Sequence, residues 1–336
     1  MHPLVLTHPA CLLHHPGRRH PEQPARLEAA LRGAAAGGAR IESTCVQADR
    51  AQLVAAHSAR HVDALLAARG RPFAVDAETL GSAESIDAAL WAAGAVVDGV
   101  RRIVAGTEQR VLAWVRPPGH HAEAGQAMGF CFFNNVAVGV HEARRLGLHR
   151  VAVVDVDVHL GNGTQQIFAM DPRVLVIDVH EEDLYPQGGS AQERGVGAGW
   201  GTTINVPLRR GEDADYQRIM EGLVAPALRR FAPELVVVSL GFDAHALDPL
   251  AHMALTSAGF GAVVARLAAL ADALCGGRLL VVLEGGYHLD AVEASSRAVV
   301  EALRAPSVGW PEGSSEGRPS SWADALDALE QGLVAE

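Results

Sequence analysis

The segment DVDVH (residues 155–159) carries two carboxylates and an imidazole at alternating positions. If it continues a β-strand, Asp155, Asp157 and His159 share one face, because side chains alternate across a strand. Asp243, which ends the segment SLGFD, can supply a further carboxylate. Two carboxylates and one histidine leave a coordination position open for water, as a catalytic zinc ion requires. These residues predict a metal site; the alternative is that the aspartates only form turns and caps.

The segment RPPGHHA (residues 116–122) places two adjacent histidines after an apolar run. The ordinary pKa of histidine suits both the removal of a proton from water and its return to a departing amine. The prolines and the glycine would stiffen the loop that presents His120 and His121. The segment EGGYH adds Tyr287, whose phenol can donate a hydrogen bond to a developing oxyanion. Taken alone, the histidine pair is weak evidence against an ordinary surface loop, and a tyrosine packed at the sheet edge is the more common case.

Short apolar runs alternate with Ala- and Leu-rich helical patterns along the chain. The runs are VLAWV (111–115), VAVVDVDV (151–158), VLVIDV (174–179), LVVVSLG (235–241) and LLVVLEGG (279–286). Helices are predicted between them at about 84–105, 134–147, 214–231 and 257–275. β-Branched, nearly continuous runs are typical of strands buried on both faces, so the pattern predicts an α/β fold with a parallel sheet. Ligands of such sheets bind beyond the carboxyl ends of the strands, where the polar motifs stand.

Composition excludes several classes of function. The chain has 336 residues, 49% hydrophobic residues and a formal net charge of −11, without a long basic stripe, which disfavours nucleic-acid binding. Its cysteines are far apart and form no C-x-x-C pair, so a reducing cytoplasm is predicted. The N-terminus is interrupted by His and Pro and makes a poor signal peptide, and no membrane span is predicted. The Ala-, Gly- and Arg-rich composition suggests a bacterial source.

Two regions are predicted. Residues 1–305 form the catalytic domain, and residues 306–336 form a linker followed by a helix. The linker, PSVGWPEGSSEGRPSS, is rich in Gly, Pro and Ser, whereas WADALDALEQGLVAE is typical of an amphipathic helix. This helix would pack on the body or on a partner subunit, so a homo-oligomer is possible.

Five motifs, in order, resemble the zinc-dependent histone deacetylase superfamily, which also contains acetylpolyamine amidohydrolases and acetoin-utilization proteins. They are RPPGHHA, GFCFFNN (129–135), VDVDVHLGNGTQ (154–165), GFDAHALDPL (241–250) and LEGGYHL (283–289). The resemblance extends from about residue 4 to 304 and is greatest to the class II branch and its bacterial relatives. It implies the arginase/deacetylase fold, with a single central, mainly parallel sheet. It also implies hydrolysis of an acyl group from acyl-lysine or an acylated polyamine.

The resemblance further implies roles for individual residues. One zinc ion per chain would be bound by Asp157, His159 and Asp243. His121 would be the general base, and His120 its electrostatic partner. Asp155 would lie behind His120, and Asn162 behind His121, to orient the two rings. Tyr287 would polarise the scissile carbonyl.

The resemblance also implies a narrow substrate channel and a structural potassium ion. The channel residues would be Gly129, Phe130, Tyr185, Leu250 and Asp76. Potassium would be bound by the carbonyls of Asp155, Asp157 and His159, with Asp178 and Val179 nearby.

The chain departs from the family pattern at four positions. Leu160 replaces a second histidine, Asp178 replaces a serine of the potassium site, and Tyr185 replaces a phenylalanine. Leu250 stands where the polyamine-selective branch has glutamate, which argues mildly against the mechanism of that branch.

Two other functions stay open, namely a non-catalytic acyl-lysine binding module and an arginase-like ureohydrolase with two manganese ions. The segment GVGAGWG (195–201) leads into a predicted strand and not a helix, so it is interpreted as a loop and not as a dinucleotide site. His57 and His61 are interpreted as a surface or rim pair on one helix. The segment HHPGRRHPEQP (14–24) is expected at the channel mouth.

Overall fold

The computed structural model describes residues 2–304 and 320–334. Its strands are β1 (Leu4–Thr7), β2 (Arg40–Ser43), β3 (Phe73–Ala74), β4 (Leu80–Gly81), β5 (Arg110–Ala113), β6 (Val151–Asp155), β7 (Val174–Glu181), β8 (Thr203–Leu208), β9 (Leu235–Leu240) and β10 (Leu279–Leu283). Its helices are α1 (Pro24–Ala36), α2 (Arg50–Ala56), α3 (Ala59–Ala67), α4 (Ser85–Val104), α5 (Asn135–Arg145), α6 (Asn162–Phe168), α7 (Asp213–Ile219), α8 (Ala225–Phe231), α9 (Ser257–Cys275), α10 (Leu289–Arg304) and α11 (Ser320–Val334).

Eight strands form one sheet in the order β2-β1-β5-β10-β9-β6-β7-β8, and every neighbouring pair is parallel. β6, β7, β9 and β10 are buried along their whole length. Helix α10 packs against both α1 and α9, and α5 packs against both α2 and α4. The predicted α/β fold with a central parallel sheet is therefore confirmed. Strands β3 and β4 form a separate antiparallel ribbon.

Most predicted elements are present with small shifts of their ends. The helix predicted at 257–275 has those bounds, whereas the one at 214–231 is interrupted by a π-helical turn, Met220–Val224. The cause is Pro226, which has no N–H to continue the helical ladder. The prediction missed β1, which has only four residues, and β2, a polar and largely exposed edge strand.

Helix α9 is long and apolar enough to span a membrane by length and composition alone. However, 61% of the most apolar stretch of α9 is buried inside the protein, where α9 packs against β9, β10 and α10. It is therefore a core helix of this sheet.

The predicted C-terminal helix is present as α11, which packs on α8 and on the π-helical turn. Its buried face is formed by Trp322, Ala325, Leu326, Ala328 and Leu329. Residues 305–319, which include most of the predicted linker, lie outside the described residues.

Candidate active site

The predicted metal ligands come together at the carboxyl edge of the sheet. One ligand atom each of Asp157, His159 and Asp243 lies within 4.8 Å of the others, and all three residues are buried. His159 Nδ1 lies 3.1 Å from Asp157 Oδ1 and 3.2 Å from Asp243 Oδ2. Asp243 Oδ2 is buried and accepts no well-formed hydrogen bond from any described residue. A Cβ atom at Gly285 would overlap Asp243 Oδ2, so only glycine lets the chain pass this close to the cluster.

The geometry of this cluster corrects one premise of the sequence analysis. Strand β6 ends at Asp155, so Asp157 and His159 lie in the following loop and not on a continuous strand face. Main-chain N–H groups fix the loop instead. Asp157 N donates to Asp155 Oδ1 at 3.0 Å, and His159 N donates to Asp157 Oδ1 at 2.9 Å. Gly285 N donates to Asp157 Oδ2 at 2.8 Å, which joins the β6 loop to the β10 loop.

The twin histidines have different hydrogen-bond partners. Their ring centroids lie 4.0 Å apart. His120 Nδ1 lies 3.1 Å from Asp155 Oδ2, whereas His121 Nδ1 lies 2.9 Å from Asn162 Oδ1. The structure thus places Asp155 and Asn162 behind the two rings, as the resemblance implied. One histidine contacts a carboxylate and the other a neutral amide.

The pKa values of the two rings are shifted in opposite directions in the metal-free protein. Burial would lower the pKa of His120, but the carboxylates of Asp157, Asp155 and Glu284 raise it well above its usual value. The pKa of His121 is well below its usual value, because of burial and of the positive charges on His120 and His159. His120 is therefore a cation at neutral pH, while His121 is neutral and able to accept a proton.

Tyr287 lies in the loop that follows β10. Its pKa is well above the ordinary value because burial outweighs the nearby Arg26 guanidinium, so the phenol keeps its proton. The Arg26 guanidinium lies 4.7 Å from the centre of the Tyr287 ring and donates to Glu284 O at 2.6 Å. Tyr287 N donates to Asp248 Oδ2 at 2.7 Å. The tyrosine is thus held by both its ring and its main chain.

A cavity of about 540 Å³ leads from the surface to His121, His159 and Tyr287. Four of the five predicted channel residues line it, namely Gly129, Phe130, Tyr185 and Leu250. The fifth prediction was wrong, because the cavity is lined by the neighbouring Ala77 and Glu78 and not by Asp76. The Asp76 carboxylate instead accepts hydrogen bonds from the main chain of its own turn, at Glu78 N and Thr79 N.

The channel walls are close to the reacting groups. The Tyr185 ring meets the His121 ring edge-on at 5.2 Å, and the Phe130 ring meets the Tyr287 ring edge-on at 6.1 Å. Gly129 has φ +55°, and a Cβ there would overlap the His121 ring. The 14–24 segment supplies residues of the mouth, as expected, namely Pro16, Gly17, Arg19, His20 and Pro21.

Sequence reasoning missed a second set of residues that hold the site. Glu284 is buried, and its Oε2 accepts hydrogen bonds from Gly119 N at 2.6 Å and His120 N at 3.2 Å. Glu22 is buried between two arginines, Arg26 and Arg116. The glutamate of LEGGY was visible in the sequence, but no pattern shows that it reaches the main chain of the histidine loop.

The interpretation of His57 and His61 as a surface pair on one helix was wrong. His57 ends α2, His61 lies in α3, and both are buried. His61 Nε2 contacts Phe132 O at 2.9 Å, and His57 Nδ1 contacts Glu123 O at 2.9 Å. Both histidines therefore support the loops around the channel.

The predicted potassium region lies beside Asp155. Asp178 is the register partner of Asp155, and Val179 is buried in β7. Gly161 N donates to Asp178 Oδ2 at 2.8 Å, and His180 Nδ1 lies 2.7 Å from Asp178 Oδ1. Both oxygens of this carboxylate thus have protein partners.

Comparison with known proteins gives consistent results. A family model described as Histone deacetylase domain matches residues 20–303. Histone deacetylase 15 of Arabidopsis thaliana is 38% identical over 295 residues, which cover 84% of this chain and 52% of that protein. The histone deacetylase-like amidohydrolase of Pseudomonas aeruginosa is 45% identical over 222 residues, which cover 65% of this chain and 58% of that protein. The crystal structure of the HDA15 HD domain superposes on this chain with a TM-score of 0.87 and 34% sequence identity. The superposition covers 99% of this chain and 95% of that domain. The chain spans little more than half of the length of these two curated relatives.

Proposed function

This chain belongs to the histone deacetylase family, and we propose that it is a zinc-dependent deacetylase acting on acyl-lysine or on acylated polyamines. Its fold is the arginase/deacetylase fold expected from the sequence. Relatives named deacetylase and amidohydrolase support hydrolysis of an amide. The observation that carries the proposal is the meeting of Asp157, His159 and Asp243 beside a neutral His121, at the base of one channel.

The cluster fits a zinc ion. It offers two carboxylates and one imidazole, which is a donor set that leaves a position open. Asp243 Oδ2 is buried without a well-formed hydrogen bond from the described residues, as expected of an atom that binds a cation. When bound, zinc supplies Lewis acidity, which polarises the carbonyl and makes water a stronger nucleophile at neutral pH.

The residues of the chain carry out the proton transfers. With His121 Nδ1 donating to Asn162, His121 Nε2 faces the cavity unprotonated and accepts the proton of the attacking water. The same proton then passes to the departing amine. The phenol of Tyr287 donates a hydrogen bond to the carbonyl oxygen as negative charge develops there, and His120, held by Asp155, is the electrostatic partner of His121.

The channel suits an extended alkyl chain. Its walls are the rings of Phe130 and Tyr185, and its rim carries Leu250 in place of a carboxylate. The rim thus offers no charge at this position to a second ammonium group. This feature argues mildly against the mechanism of the polyamine-selective branch, while Glu78 still places a carboxylate in the channel lining.

A structural potassium ion at the carbonyls of Asp155, Asp157 and His159 also belongs to this proposal. Because the Asp178 carboxylate is already bonded to Gly161 and His180, it would act by its charge and not as a replacement for a serine ligand.

The test is a panel of acetyl-lysine peptides, acetylputrescine, acetylspermidine and longer acyl-lysines, assayed for acid release by the zinc-loaded protein. The variants Y287F and H121A should each lower turnover at least about a hundredfold, because each removes a group that acts on the reacting atoms. Unchanged turnover in either variant would contradict the role assigned here. Tight binding without acid release would indicate a binding module, and two manganese ions per chain would indicate a ureohydrolase.

A further inference from the structure

The side-chain amide of Asn162, at the start of α6, lies between two groups. Its Oδ1 is 2.9 Å from His121 Nδ1, and its Nδ2 donates to Glu123 Oε1 at 2.9 Å. The second Nδ2 hydrogen points towards Met128 Sδ at 3.4 Å. Glu123 follows the twin histidines by two residues and does not line the channel. Its carboxylate therefore reaches the reacting groups only through Asn162.

The orientation of this amide decides which nitrogen of His121 carries the proton. With Oδ1 towards the ring, His121 Nδ1 must be an N–H donor, and Nε2 keeps its lone pair. With the amide reversed, Nδ2 would donate to Nδ1, and the hydrogen of a neutral ring would then lie on Nε2. In that tautomer His121 cannot accept a proton from water in the channel. The two amide orientations have almost the same shape, so sterics alone do not choose between them.

We propose that Glu123 is a positioning residue that fixes His121 in the base-competent tautomer by holding the amide of Asn162. A carboxylate only accepts hydrogen bonds, so it pairs with Nδ2 and repels Oδ1. This inference rests on the proposed role of His121 as general base. It assigns a function to the glutamate that stands beside the histidine pair in HHAE.

The main chain around Glu123 is itself fixed. Glu123 O accepts from His57 Nδ1 at 2.9 Å, and Asn134 N donates to His57 Nε2 at 2.9 Å. Burial lowers the pKa of His57 to about 4, so its ring is neutral with the hydrogen on Nδ1. Ala124 N donates to Gln166 Oε1 at 3.0 Å on the other side. The buried histidine thus supports the loop from which the Glu123 carboxylate reaches Asn162.

The first experiment is a double-mutant cycle between positions 123 and 162 in the zinc-loaded, full-length protein. E123Q replaces the carboxylate with an amide that can either donate to Asn162 or accept from it, so Asn162 is no longer held in one orientation. We therefore expect kcat to fall roughly tenfold. KM should be unchanged, because Glu123 lies outside the channel. In the N162D background, E123Q should have the opposite effect on kcat. A carboxylate at position 162 accepts from His121 Nδ1 without help and is repelled by Glu123, so E123Q should then raise kcat. An equal loss in both backgrounds, or no loss in either, would overturn the proposal.

A matched control is Q166A, which loosens the same loop at Ala124 but leaves the Glu123 carboxylate in place. It should not reproduce the effect of E123Q on kcat. If Q166A and E123Q lower kcat equally, Glu123 acts only on the loop, and the proposal is wrong.

A second readout does not require activity. In protein labelled with ¹⁵N-histidine, the long-range ¹H–¹⁵N spectrum reports which ring nitrogen of His121 is protonated, with H121A giving the assignment. The wild-type ring should carry its hydrogen on Nδ1, and E123Q should move population to Nε2. A wild-type ring protonated on Nε2 would overturn the inference. If instead the protein hydrolyses no acylated amine while the spectrum is as expected, the proposed function fails and the role of Glu123 in fixing the tautomer stands.

Discussion

At the scale of residues, the surroundings of two adjacent histidines shift their pKa values in opposite directions in the metal-free protein. The carboxylates of Asp155, Asp157 and Glu284 raise the pKa of His120, whereas burial and the positive charges on His120 and His159 lower the pKa of His121. The sequence HH contains no sign of this difference. It arises because the end of β6 and the loop after β10 bring their carboxylates to His120 and not to its neighbour. Pairs of titratable groups whose pKa values are driven apart are a mark of acid–base sites.

Zinc binding to the metal-free protein should release protons. Burial alone would lower the pKa of His159, but the adjacent carboxylates of Asp157 and Asp243 raise the pKa to about 10. His159 therefore carries a proton at pH 7.5, and it must lose that proton to bind zinc. Calorimetric titration in buffers of different ionisation enthalpy should show release of about one proton per zinc ion. The affinity should rise with pH from about 7 up to the pKa of His159.

The control for this measurement is H121A. The pKa of His121 is lowered, so this ring is already neutral and its removal should not alter the number of protons released. Zinc binding without proton release in the unmodified protein would show that His159 is neutral before the metal arrives.

At the scale of elements, the close packing of α1 on α10 depends on Gly33. A Cβ atom at Gly33 would overlap the main-chain oxygen of Glu293 in α10. The variant G33A should therefore lower the free energy of unfolding by about 1–3 kcal/mol, because the two helices must move apart. Urea unfolding followed by circular dichroism measures this change. A Cβ atom added at Gly125 would meet open space, so the free energy of unfolding of G125A should stay within about 0.5 kcal/mol of the parent value.

Helix α11 should stabilise the protein without contributing to the chemistry. Leu329 is fully buried against the body, and α11 packs on α8 and the π-helical turn, away from the channel lining. L329A should cost about 2–5 kcal/mol of stability and leave kcat within about twofold. The matched control is D327A, which changes an exposed residue of the same helix. A large loss of kcat in L329A at a temperature where it stays folded would show that α11 communicates with the site.

The elements differ in how far sequence could predict them. Buried strands and long helices have strong patterns, and α9 was predicted with its observed bounds. β2 was missed because an exposed edge strand such as RIES has no apolar alternation. The ligands were predictable because polar residues follow buried strands. The hydrogen bonds between Glu284 and the histidine loop and between Glu123 and Asn162 were not predictable, since each joins segments that only the tertiary fold brings together.

At the scale of the whole molecule, the metal site joins segments that are distant in sequence. Asp157 follows β6, Asp243 follows β9, and Gly285, which holds Asp157, follows β10. The unfolded chain cannot bring these segments together, so zinc bound at this cluster must stabilise the native state by mass action. That stabilisation is about 2.7 kcal/mol when free zinc is a hundredfold above its dissociation constant. For a chain of this size, we expect the Tm to rise by roughly 5 °C.

Thermal unfolding of chelator-treated protein, without zinc and with free zinc buffered a hundredfold above its dissociation constant, measures this effect. The chain contains 16 histidines, so zinc bound at its surface must be distinguished from zinc at the cluster. D243N removes one ligand and should abolish the rise in Tm, whereas Y287F keeps all three ligands and should show the full rise. Equal stabilisation of D243N and the parent would mean that zinc binds elsewhere, and the assignment of Asp157, His159 and Asp243 as its ligands would be wrong.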